Sequence, residues 1–476
     1  MSPARSFILI GVLVVIMLGI AVSGSLLLLA EWSRSDSDIA TGRLHARLAG
    51  SSALRVLVSE ADASRAALLQ GGVPDLSEEG ALFTTTRGDR AEFRLLDLGG
   101  VTVRSEQAKL DINHATAEML GALDGLPASV AAEIVEARKA GRFGSLDALL
   151  KINGVTNAML YGSTRDGSID SGTADDDAGL GGAGLGGAGL GGAGLGGAGL
   201  EDPNGAAAPL CDSLTVMSFD PVVTSGIDNR AIGLTSLGDA RINLGEPWSD
   251  TLRDEIEERF TPEIAQQMER AVEQAGPPED AAGLARLVRD ELDLEVTGWS
   301  GVLAGFTTTT KPFELGRVDI NRAPKRVLVC LPGISEQIAD EIVAARDTLP
   351  PDQLARVAWV VEEGIVSETD FVEVFPWITT RSMQWRVRLE VGLRPPGETP
   401  EDDFGLGDAF DDDLVPLAGD AAADAFGVPV DVDEASALRD RLVYDIVLDT
   451  SGDTTRIAEL TDITLAGVAR MLARRS

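Results

Sequence analysis

The pattern of apolar residues at the amino terminus predicts a long helix that begins in a membrane. Phe7 to Ala30 is a run of 24 residues without a charged side chain. At 1.5 Å per residue, a helix of that length crosses a hydrocarbon core of about 30 Å. A cleaved secretory signal is the competing interpretation, with Ala21-Val22-Ser23 as its cleavage site, although the apolar part of such signals is only about 7 to 15 residues long. We expect a retained anchor, and Arg5 ahead of it favours a cytoplasmic start and an exported body.

Beyond the anchor, the spacing of apolar residues predicts a further helix and then a small sheet. Leucines recur among polar residues from Ile39 to Leu69, which suits an amphipathic helix. This stretch either extends the anchor into one helical stalk or covers a core as a separate helix. Glu92 to Leu96 and Gly100 to Arg104 are short apolar runs flanking a glycine turn, and they predict a small antiparallel sheet. We therefore divide the start of the chain into residues 1–70 (anchor and long helix) and 71–109 (β region).

An internal duplication follows. Leu110 to Arg138 aligns without a gap on Val318 to Arg346, at an offset of 208, and 13 of 29 positions are identical. The repeat-defining positions are Asp111 and Asn113 in the first copy and Asp319 and Asn321 in the second. So many identities in a stretch of ordinary composition indicate a true repeat. We assign the two copies to residues 110–165 and 318–376.

Each copy is predicted to contain two short helices joined by a tight turn. Gly125 and Gly333 end the first helix of each copy, because glycine adopts the left-handed conformation without strain. The turns read Gly125-Leu126-Pro127 in the first copy and Gly333-Ile334-Ser335 in the second. An apolar stripe then restarts in each copy and predicts the second helix.

These copies resemble the helix-hairpin-helix modules, which are SAM-like helical units, of two exported families. One is the competence DNA receptors, and the other is protein K of type II secretion systems, a minor pseudopilin. In the DNA-binding form, a Gly-hydrophobic-Gly turn aims backbone N–H groups at a phosphate. Here Pro127 removes one N–H, and Glu133, Glu336 and Glu341 carry charge of the wrong sign. We therefore expect packing modules and consider nucleic acid an improbable partner.

The remaining segments resemble the secretion family in their order along the chain. Leu214 to Ser218 and Ala240 to Leu244 are similar to its joining segment, assigned to residues 210–317, in which a short strand precedes a further Asn-bearing helical unit. A helix is expected over Arg253 to Val272. Alternating apolar residues after Gln384 predict a half-buried strand, with Leu442 to Leu448 as its partner. Residues 377–394 and 438–465 would thus form a carboxy-terminal β-hairpin. The resulting fold class is α+β.

The leader departs from the pattern of the pseudopilins. A prepilin-type leader is normally cut after Gly just before the apolar segment, whereas here Ser6 precedes Phe7 at the candidate cleavage site. Most pseudopilins also carry Glu at the fifth mature position, where this chain has Gly11. Absence of that Glu is the family pattern for protein K, and a plain anchor would show the same absence.

Composition indicates two segments that belong neither to the helix-hairpin-helix modules nor to the β regions. Residues 166–209 contain an array of Gly-Gly-Ala-Gly-Leu units and are predicted to be a flexible linker. Residues 395–437 form an acidic insertion, and 466–476 a tail. Lys plus Arg number 40 and Asp plus Glu 76, for a net charge of −36. The runs Asp175 to Asp177 and Asp411 to Asp413 could bind Ca²⁺, but they lack the alternating ligand spacing of a calcium loop, so solvated acid is the favoured interpretation.

The sequence favours an assembly protein over an enzyme. It contains no nucleophile elbow, no phosphate loop and no paired-cysteine motif. His114 stands where the second copy has Arg322, and we predict an exposed cap residue there, not a base. The resemblance implies a non-enzymatic subunit with no catalytic residue and no cofactor, which caps or initiates a periplasmic pseudopilus. It would be a single-pass inner-membrane protein with a periplasmic body, and its partners would be other minor pseudopilins and inner-membrane secretion components. The alternative is a membrane-anchored DNA receptor of the competence type.

Overall fold

The computed structural model is a mixture of helices and mainly antiparallel sheet. It describes residues 3–98, 100–162, 208–229, 233–234, 237–396 and 438–464. The predicted tail lies outside these residues, as do residues 166–207 of the predicted linker and 397–437 of the predicted acidic insertion, with the acidic runs near residues 175 and 411.

The helices within the described ranges are short, apart from the first. In chain order they are α1 (Pro3–Ala63), α2 (Arg65–Leu69), α3 (Ala117–Gly121), α4 (Ala128–Ala137), α5 (Asn157–Tyr161), α6 (Asp250–Arg259), α7 (Pro262–Ala275), α8 (Ala281–Glu291), α9 (Val296–Gly305), α10 (Lys325–Leu328), α11 (Glu336–Arg346), α12 (Pro351–Leu354), α13 (Trp359–Glu362) and α14 (Glu368–Val374). Three 3-10 helices cover Leu146–Lys151, Leu210–Asp212 and Phe375–Trp377.

The strands include several of only two residues. They are β1 (Glu79–Thr84), β2 (Arg90–Leu96), β3 (Val103–Ser105), β4 (Leu110–Asp111), β5 (Leu214–Thr215), β6 (Phe219–Pro221), β7 (Asp228–Asn229), β8 (Gly233–Leu234), β9 (Ile242–Asn243), β10 (Phe306–Thr307), β11 (Phe313–Leu315), β12 (Val318–Asp319), β13 (Ile378–Thr379), β14 (Gln384–Arg394), β15 (Arg439–Asp449) and β16 (Arg456–Asp462).

The chain divides into two compact units. The first contains Met1–Arg55, Glu78–Leu95 and Leu389–Val443, and the second contains Val56–Ser77, Leu96–Arg388 and Tyr444–Ser476. Both repeat copies belong to the second unit.

The first unit combines part of α1 with an antiparallel strand pair. β1 pairs with β2, with Glu79 opposite Arg94. Small residues of α1, including Gly42 and Ala46, are buried. A Cβ at Gly42 would collide with the carboxylate of Asp440, so this close approach requires glycine. The helix therefore presents its small-residue face to the inside of the unit.

One buried carboxylate organises the charges of the first unit. Glu390, whose side chain is 1% exposed, forms ion pairs with Arg94 and Arg441. Arg394 Nε lies 2.8 Å from Glu92 Oε2 on the neighbouring strand. The buried Glu390 carboxylate is therefore neutralised by Arg94 and Arg441, because a buried charge is costly unless it is paired.

The second unit has one continuous apolar core that both repeat copies share. Leu120 and its repeat partner Leu328 are fully buried, and so are Ile134 and its partner Ile342. The predicted apolar face of each copy is thereby confirmed. The helices between the copies contribute to the same core.

The carboxy-terminal strands confirm the predicted hairpin, since β14 is hydrogen-bonded to β15. The predicted alternation holds only for the first residues of β14. Trp385 and Val387 of β14 are buried, at 1% and 0% exposure, while Arg386 and Arg388 are partly exposed. The alternation ends at Glu390, which is buried because it pairs with arginines. In the second unit, β3 pairs antiparallel with Trp385–Val387, and Tyr444–Asp449 of β15 pairs antiparallel with β16. The strand β1 was not predicted, because Glu79–Thr84 shows no alternation of apolar and polar residues.

The single helix predicted over Arg253 to Val272 is wrong. The helix α6 ends at Arg259, and α7 starts at Pro262. Proline lacks an N–H and disfavours a helical residue before it, so it begins a new helix. Thr261 caps that helix through a hydrogen bond from the Ile264 N–H to its Oγ1 at 3.4 Å.

The helical stalk is confirmed as one continuous helix, α1, from Pro3 to Ala63. Ser6 and Phe7 lie in its first turns, and their side chains are outside the described ones, as are those of residues 8–16. Among the described residues, no helix combines the length and apolarity that crossing a bilayer requires.

Candidate functional site: the helix-hairpin-helix modules

Each repeat copy enters its helices through the same Asx turn. Asp111 Oδ1 accepts a hydrogen bond from the Asn113 N–H at 2.8 Å. Asp319 Oδ1 accepts one from the Asn321 N–H at 3.0 Å. This side-chain bond turns the chain out of a short strand and toward the helix. The repeat-defining aspartates therefore have the same local structural role.

The second oxygen of each aspartate explains the main difference between the copies. Asp111 Oδ2 lies 3.1 Å from His114 Nδ1, and Asp319 Oδ2 lies 2.7 Å from Arg322 Nη1. Histidine and arginine thus fill equivalent positions as partners of a fully buried carboxylate. His114 is 25% exposed, so the predicted exposed cap residue is wrong, because the Asp111 carboxylate draws the ring inward.

The asparagines of the repeat are used inside the chain. Asn113 exchanges two hydrogen bonds with the backbone of Phe143, at 2.8 and 3.1 Å. Asn321 Nδ2 donates to the Leu354 carbonyl at 2.8 Å, and its Oδ1 accepts from Trp359 Nε1 at 3.0 Å. In each copy, the amide attaches the start of the module to a later segment of the same module.

The hairpin turns have the backbone conformation that was predicted. Gly125 and Gly333 have φ of 83° and 75°, in the left-handed region. The apolar residues that follow them, Leu126 and Ile334, are 4% and 6% exposed. Ser335 caps α11 through the Ile338 N–H at 3.2 Å. These turns are therefore anchored in the shared core.

Acidic side chains outnumber basic ones at the first hairpin turn. The turn lines an open depression of about 680 Å³ together with residues of the second copy. Asp124, Arg326 and Glu336 are the charged residues of this lining. Two carboxylates against one guanidinium give the lining a net negative charge. Pro127, at the start of α4, contributes no N–H donor.

The second hairpin turn packs against another helix of its own module. A Cβ placed on Gly333 would lie 3.3 Å from the Cβ of Asp370 in α14. Ser367 Oγ donates to the Asp370 carboxylate at 2.6 Å. The turn that would face a phosphate in a nucleic-acid-binding module is therefore next to an acidic side chain.

A third strand-to-helix turn of the same construction lies between the two copies, where no repeat was predicted. Asn243 Oδ1 in β9 accepts from the Gly245 N–H at 3.0 Å. The strand β9 pairs parallel with β10, just as β4 pairs with β5 and β12 pairs with β13. Asparagine here takes the place of Asp111 and Asp319.

The second strand of each parallel pair, which we call the return strand, is followed by the same side-chain turn. The return strands are β5, β10 and β13. Thr215, Thr307 and Thr379 each end a two-residue strand, and each Oγ1 accepts from the N–H two residues later, at 3.1, 3.3 and 3.4 Å. The second unit therefore contains three modules of one plan, of which the sequence identified two as a repeat and the third only as a strand followed by an Asn-bearing helical unit. A recurring apolar-Thr pair was the available signal, and it is too short to stand out.

Just beyond these strands, buried charges form a cluster that we call the arginine hub, made of Asp220, Arg241, Glu314, Arg317 and Arg381. Arg381 Nε donates to Asp220 Oδ1 at 2.7 Å. Glu314 Oε2 lies 3.0 Å from Arg241 Nη1 and 2.8 Å from Arg317 Nη1. Burial alone would raise the pKa of Asp220, but the three guanidinium groups outweigh it and lower that pKa.

The arginine hub connects segments that leave all three modules. Thr379 Oγ1 lies 3.5 Å from Asp220 Oδ2, and Thr307 Oγ1 lies 3.3 Å from Glu314 Oε1. Ser218 Oγ, three residues after the first return strand, donates to the Arg317 carbonyl at 2.7 Å. Sequence reasoning missed the hub because its members are far apart in the chain.

A second buried network joins β14 to the segment just before the first module and to β5. Glu106 is 2% exposed and pairs with Lys109 at 2.8 Å and with Arg386 at 2.5 Å. Thr215 Oγ1 also donates to Glu106 Oε2 at 2.8 Å. Burial alone would raise the pKa of Glu106, but Lys109 and Arg386 outweigh this and lower it to about 2.

No group of three or more metal-ligating side chains is placed to hold an ion among the residues that the structure describes. Cys211 and Cys330 are free thiols, and burial raises the pKa of Cys330 to about 12. That thiol is therefore protonated at neutral pH and behaves as a small apolar side chain.

Comparison with known proteins supports the module and goes no further. A helix-hairpin-helix motif model matches residues 105–162, which contain the repeated segment Leu110 to Arg138. Neither the curated proteins nor the solved structures gave a match.

Proposed function

We propose that this chain is a non-enzymatic, minor pseudopilin-like component of a type II secretion system. On this proposal it caps or initiates the periplasmic pseudopilus that exports proteins. The observation that carries the proposal is the use of both hairpins within the chain. Leu126 and Ile334 are buried in one core, and the repeat-defining Asp111, Asn113, Asp319 and Asn321 all bond to their own modules. Modules built in this way give a bulky head its shape.

The amino-terminal helix supports the anchored part of this proposal. Leu26, Leu27 and Leu29 of α1 are 62%, 72% and 59% exposed. At about 100° per residue, these positions lie on different sides of the helix. A helix that is apolar on all sides needs an apolar environment on all sides. We propose that Phe7 to Ala30 supplies a single-pass inner-membrane anchor and that the body lies in the periplasm.

The charges around the hairpins argue against the DNA-receptor alternative, which the motif match by itself would also fit. Counterion-driven binding requires clustered cations. Instead, Asp124 and Glu336 flank the first turn, and Asp370 packs on the second. Lys325, at the start of α10 in the second copy, is paired with Asp340 at 2.8 Å. Partners on this proposal are other minor pseudopilins and inner-membrane secretion components, and neither a catalytic site nor a bound cofactor is required.

Affinity purification of the full chain from detergent-solubilised inner membranes tests this proposal. We expect other minor pseudopilins, identified by mass spectrometry, to co-purify with it. The matched control replaces Leu26 and Leu27 with Arg, which places two charges in the span and should abolish both membrane recovery and co-purification. Amino-terminal sequencing of the same material tests cleavage between Ser6 and Phe7. Recovery of the chain without any pseudopilin, together with salt-dependent DNA binding, would instead support the receptor.

A further inference from the structure

The tryptophans of this chain differ sharply in exposure, and one of them requires an explanation. Trp299, Trp359 and Trp385 are 3%, 1% and 1% exposed, whereas Trp32 is 68% exposed. A tryptophan side chain carries about 150–250 Å² of surface that is unfavourable to leave in water. Within the part of the chain that the structure describes, Trp32 makes no hydrogen bond and no ring contact.

Trp32 lies at a chemically defined point of α1. It follows the last residue of the uncharged run, Ala30, by two positions, and charged Glu31 and Arg34 flank it. The run of 24 residues spans about 36 Å as a helix, which exceeds the hydrocarbon core of about 30 Å but not the full bilayer of about 40–45 Å. A residue two positions past the run therefore falls at the depth of the lipid headgroups.

We propose that Trp32 is the interfacial anchor of this helix, with its indole in the headgroup region of the leaflet next to the folded body. The occupant is a phospholipid bilayer and not a partner helix, because the apolar residues just before Trp32 are exposed on several sides of α1. One partner helix would cover one face only. Indole suits this region because its ring is apolar and its N–H can donate to a lipid oxygen or to water.

Trp32 also sets the depth of α1 in the bilayer. The ring resists transfer into the hydrocarbon core and into water alike, while Glu31 and Arg34 resist entry into the core. The proposal rests on the membrane anchor of the proposed function, so its test must separate the two.

Quenching of tryptophan emission by brominated lipids provides that test. The full chain is reconstituted in phosphatidylcholine–phosphatidylglycerol vesicles whose lipids carry bromine either near the headgroup or near the middle of the acyl chain. With 6 tryptophans in the chain, we expect headgroup-proximal bromine to remove up to about one sixth of the emission and mid-chain bromine to remove less. The variant Trp32→Phe should lose this quenching, and the control Trp377→Phe, in the folded body, should retain it.

Flotation of the same vesicles distinguishes the two possible failures. If the protein floats with the vesicles but Trp32→Phe is quenched as strongly as the wild type, the anchor stands and the role of Trp32 is wrong. If the protein does not float, the anchor and the role of Trp32 are both wrong.

Discussion

Arg138 and Arg346 lie 208 positions apart and make the same pair of hydrogen bonds. Arg138 Nη1 donates to the carbonyls of Ile112 and Ala115, at 3.0 and 2.6 Å. Arg346 Nη1 donates to the equivalent carbonyls of the second copy, at 3.4 and 2.7 Å. In both modules the end of the second helix is thereby attached to the chain just before the first, so the hairpin is closed by a cation at its base and not at its turn.

This attachment predicts equal losses of stability in the two modules. Arg138→Met and Arg346→Met should each lower the free energy of unfolding by about 2 kcal/mol, because hydrogen bonds to charged donors contribute about 1.5–3 kcal/mol. Urea denaturation of the full chain measures the change. Lysine at either position can reach one carbonyl and should lose less. A loss below about 0.5 kcal/mol for both methionine variants, as for ordinary surface substitutions, would show that these bonds do not hold the modules together.

The approach of Gly316 to His114 predicts an unusually costly glycine substitution. Gly316 has φ of 81°, and a Cβ on it would collide with the Cβ of His114. Gly364 has φ of 71° but open space around its Cβ position. Gly364→Ala should therefore cost only the backbone strain of about 1–2 kcal/mol, and Gly316→Ala should cost clearly more. Thermal unfolding of the two variants tests this, and equal losses would mean that the contact with His114 is not close.

The buried Glu106 predicts a defined loss of stability in acid. Its pKa is lowered from 4.5 to about 2 in the folded chain. A carboxyl with a lowered folded-state pKa stabilises the fold above its unfolded-state value, and this contribution is lost as pH falls. We expect a loss on the order of 3 kcal/mol between about pH 4.5 and pH 2.

Two variants check that acid dependence. Glu106→Gln should flatten the dependence of unfolding free energy on pH in this window. Lys109→Met removes one of the two cations and should move the acid transition to higher pH. An unchanged profile in Glu106→Gln would assign the acid sensitivity to other carboxyl groups.

The arginine hub predicts that one aspartate matters far more than a neighbouring one. Asp220 is fully buried among Arg241, Arg317 and Arg381. Asp220→Asn removes the counter-charge of the buried Arg381 guanidinium, whereas Arg241 and Arg317 keep Glu314, and should cost about 3–5 kcal/mol. Asp212 pairs with Arg104 at 3.1 Å on the surface, so Asp212→Asn should cost less than about 1 kcal/mol. Similar unfolding midpoints for the two variants would contradict the structural role of the hub.

The sequence predicted those features that depend on periodic or repeated residues. The register of the repeat and the left-handed glycines at 125 and 333 follow from local chemistry and are confirmed. The alternation of β14 is confirmed only as far as Arg388, because ion pairs bury the next predicted outward residue, Glu390. The third module was predicted only as a strand followed by an Asn-bearing helical unit, because it shares with the copies little more than the two-residue strands Ile242–Asn243 and Phe306–Thr307 and their side-chain turns. The arginine hub was not predicted, because the sequence alone does not distinguish a buried arginine from a surface arginine, and the acidic partners are far away in the chain.

The most direct test of the account is filter binding of the full chain to double-stranded and single-stranded DNA at low salt, about 20 mM, and at about 200 mM. If the hairpins are packing modules, we expect no binding at either concentration. We also expect none for Pro127→Gly, which restores the missing N–H but leaves Asp124 and Glu336 in place. Binding that is strong at low salt, weakens at high salt and increases in Pro127→Gly would show that the hairpins contact nucleic acid, and would contradict their role as packing modules.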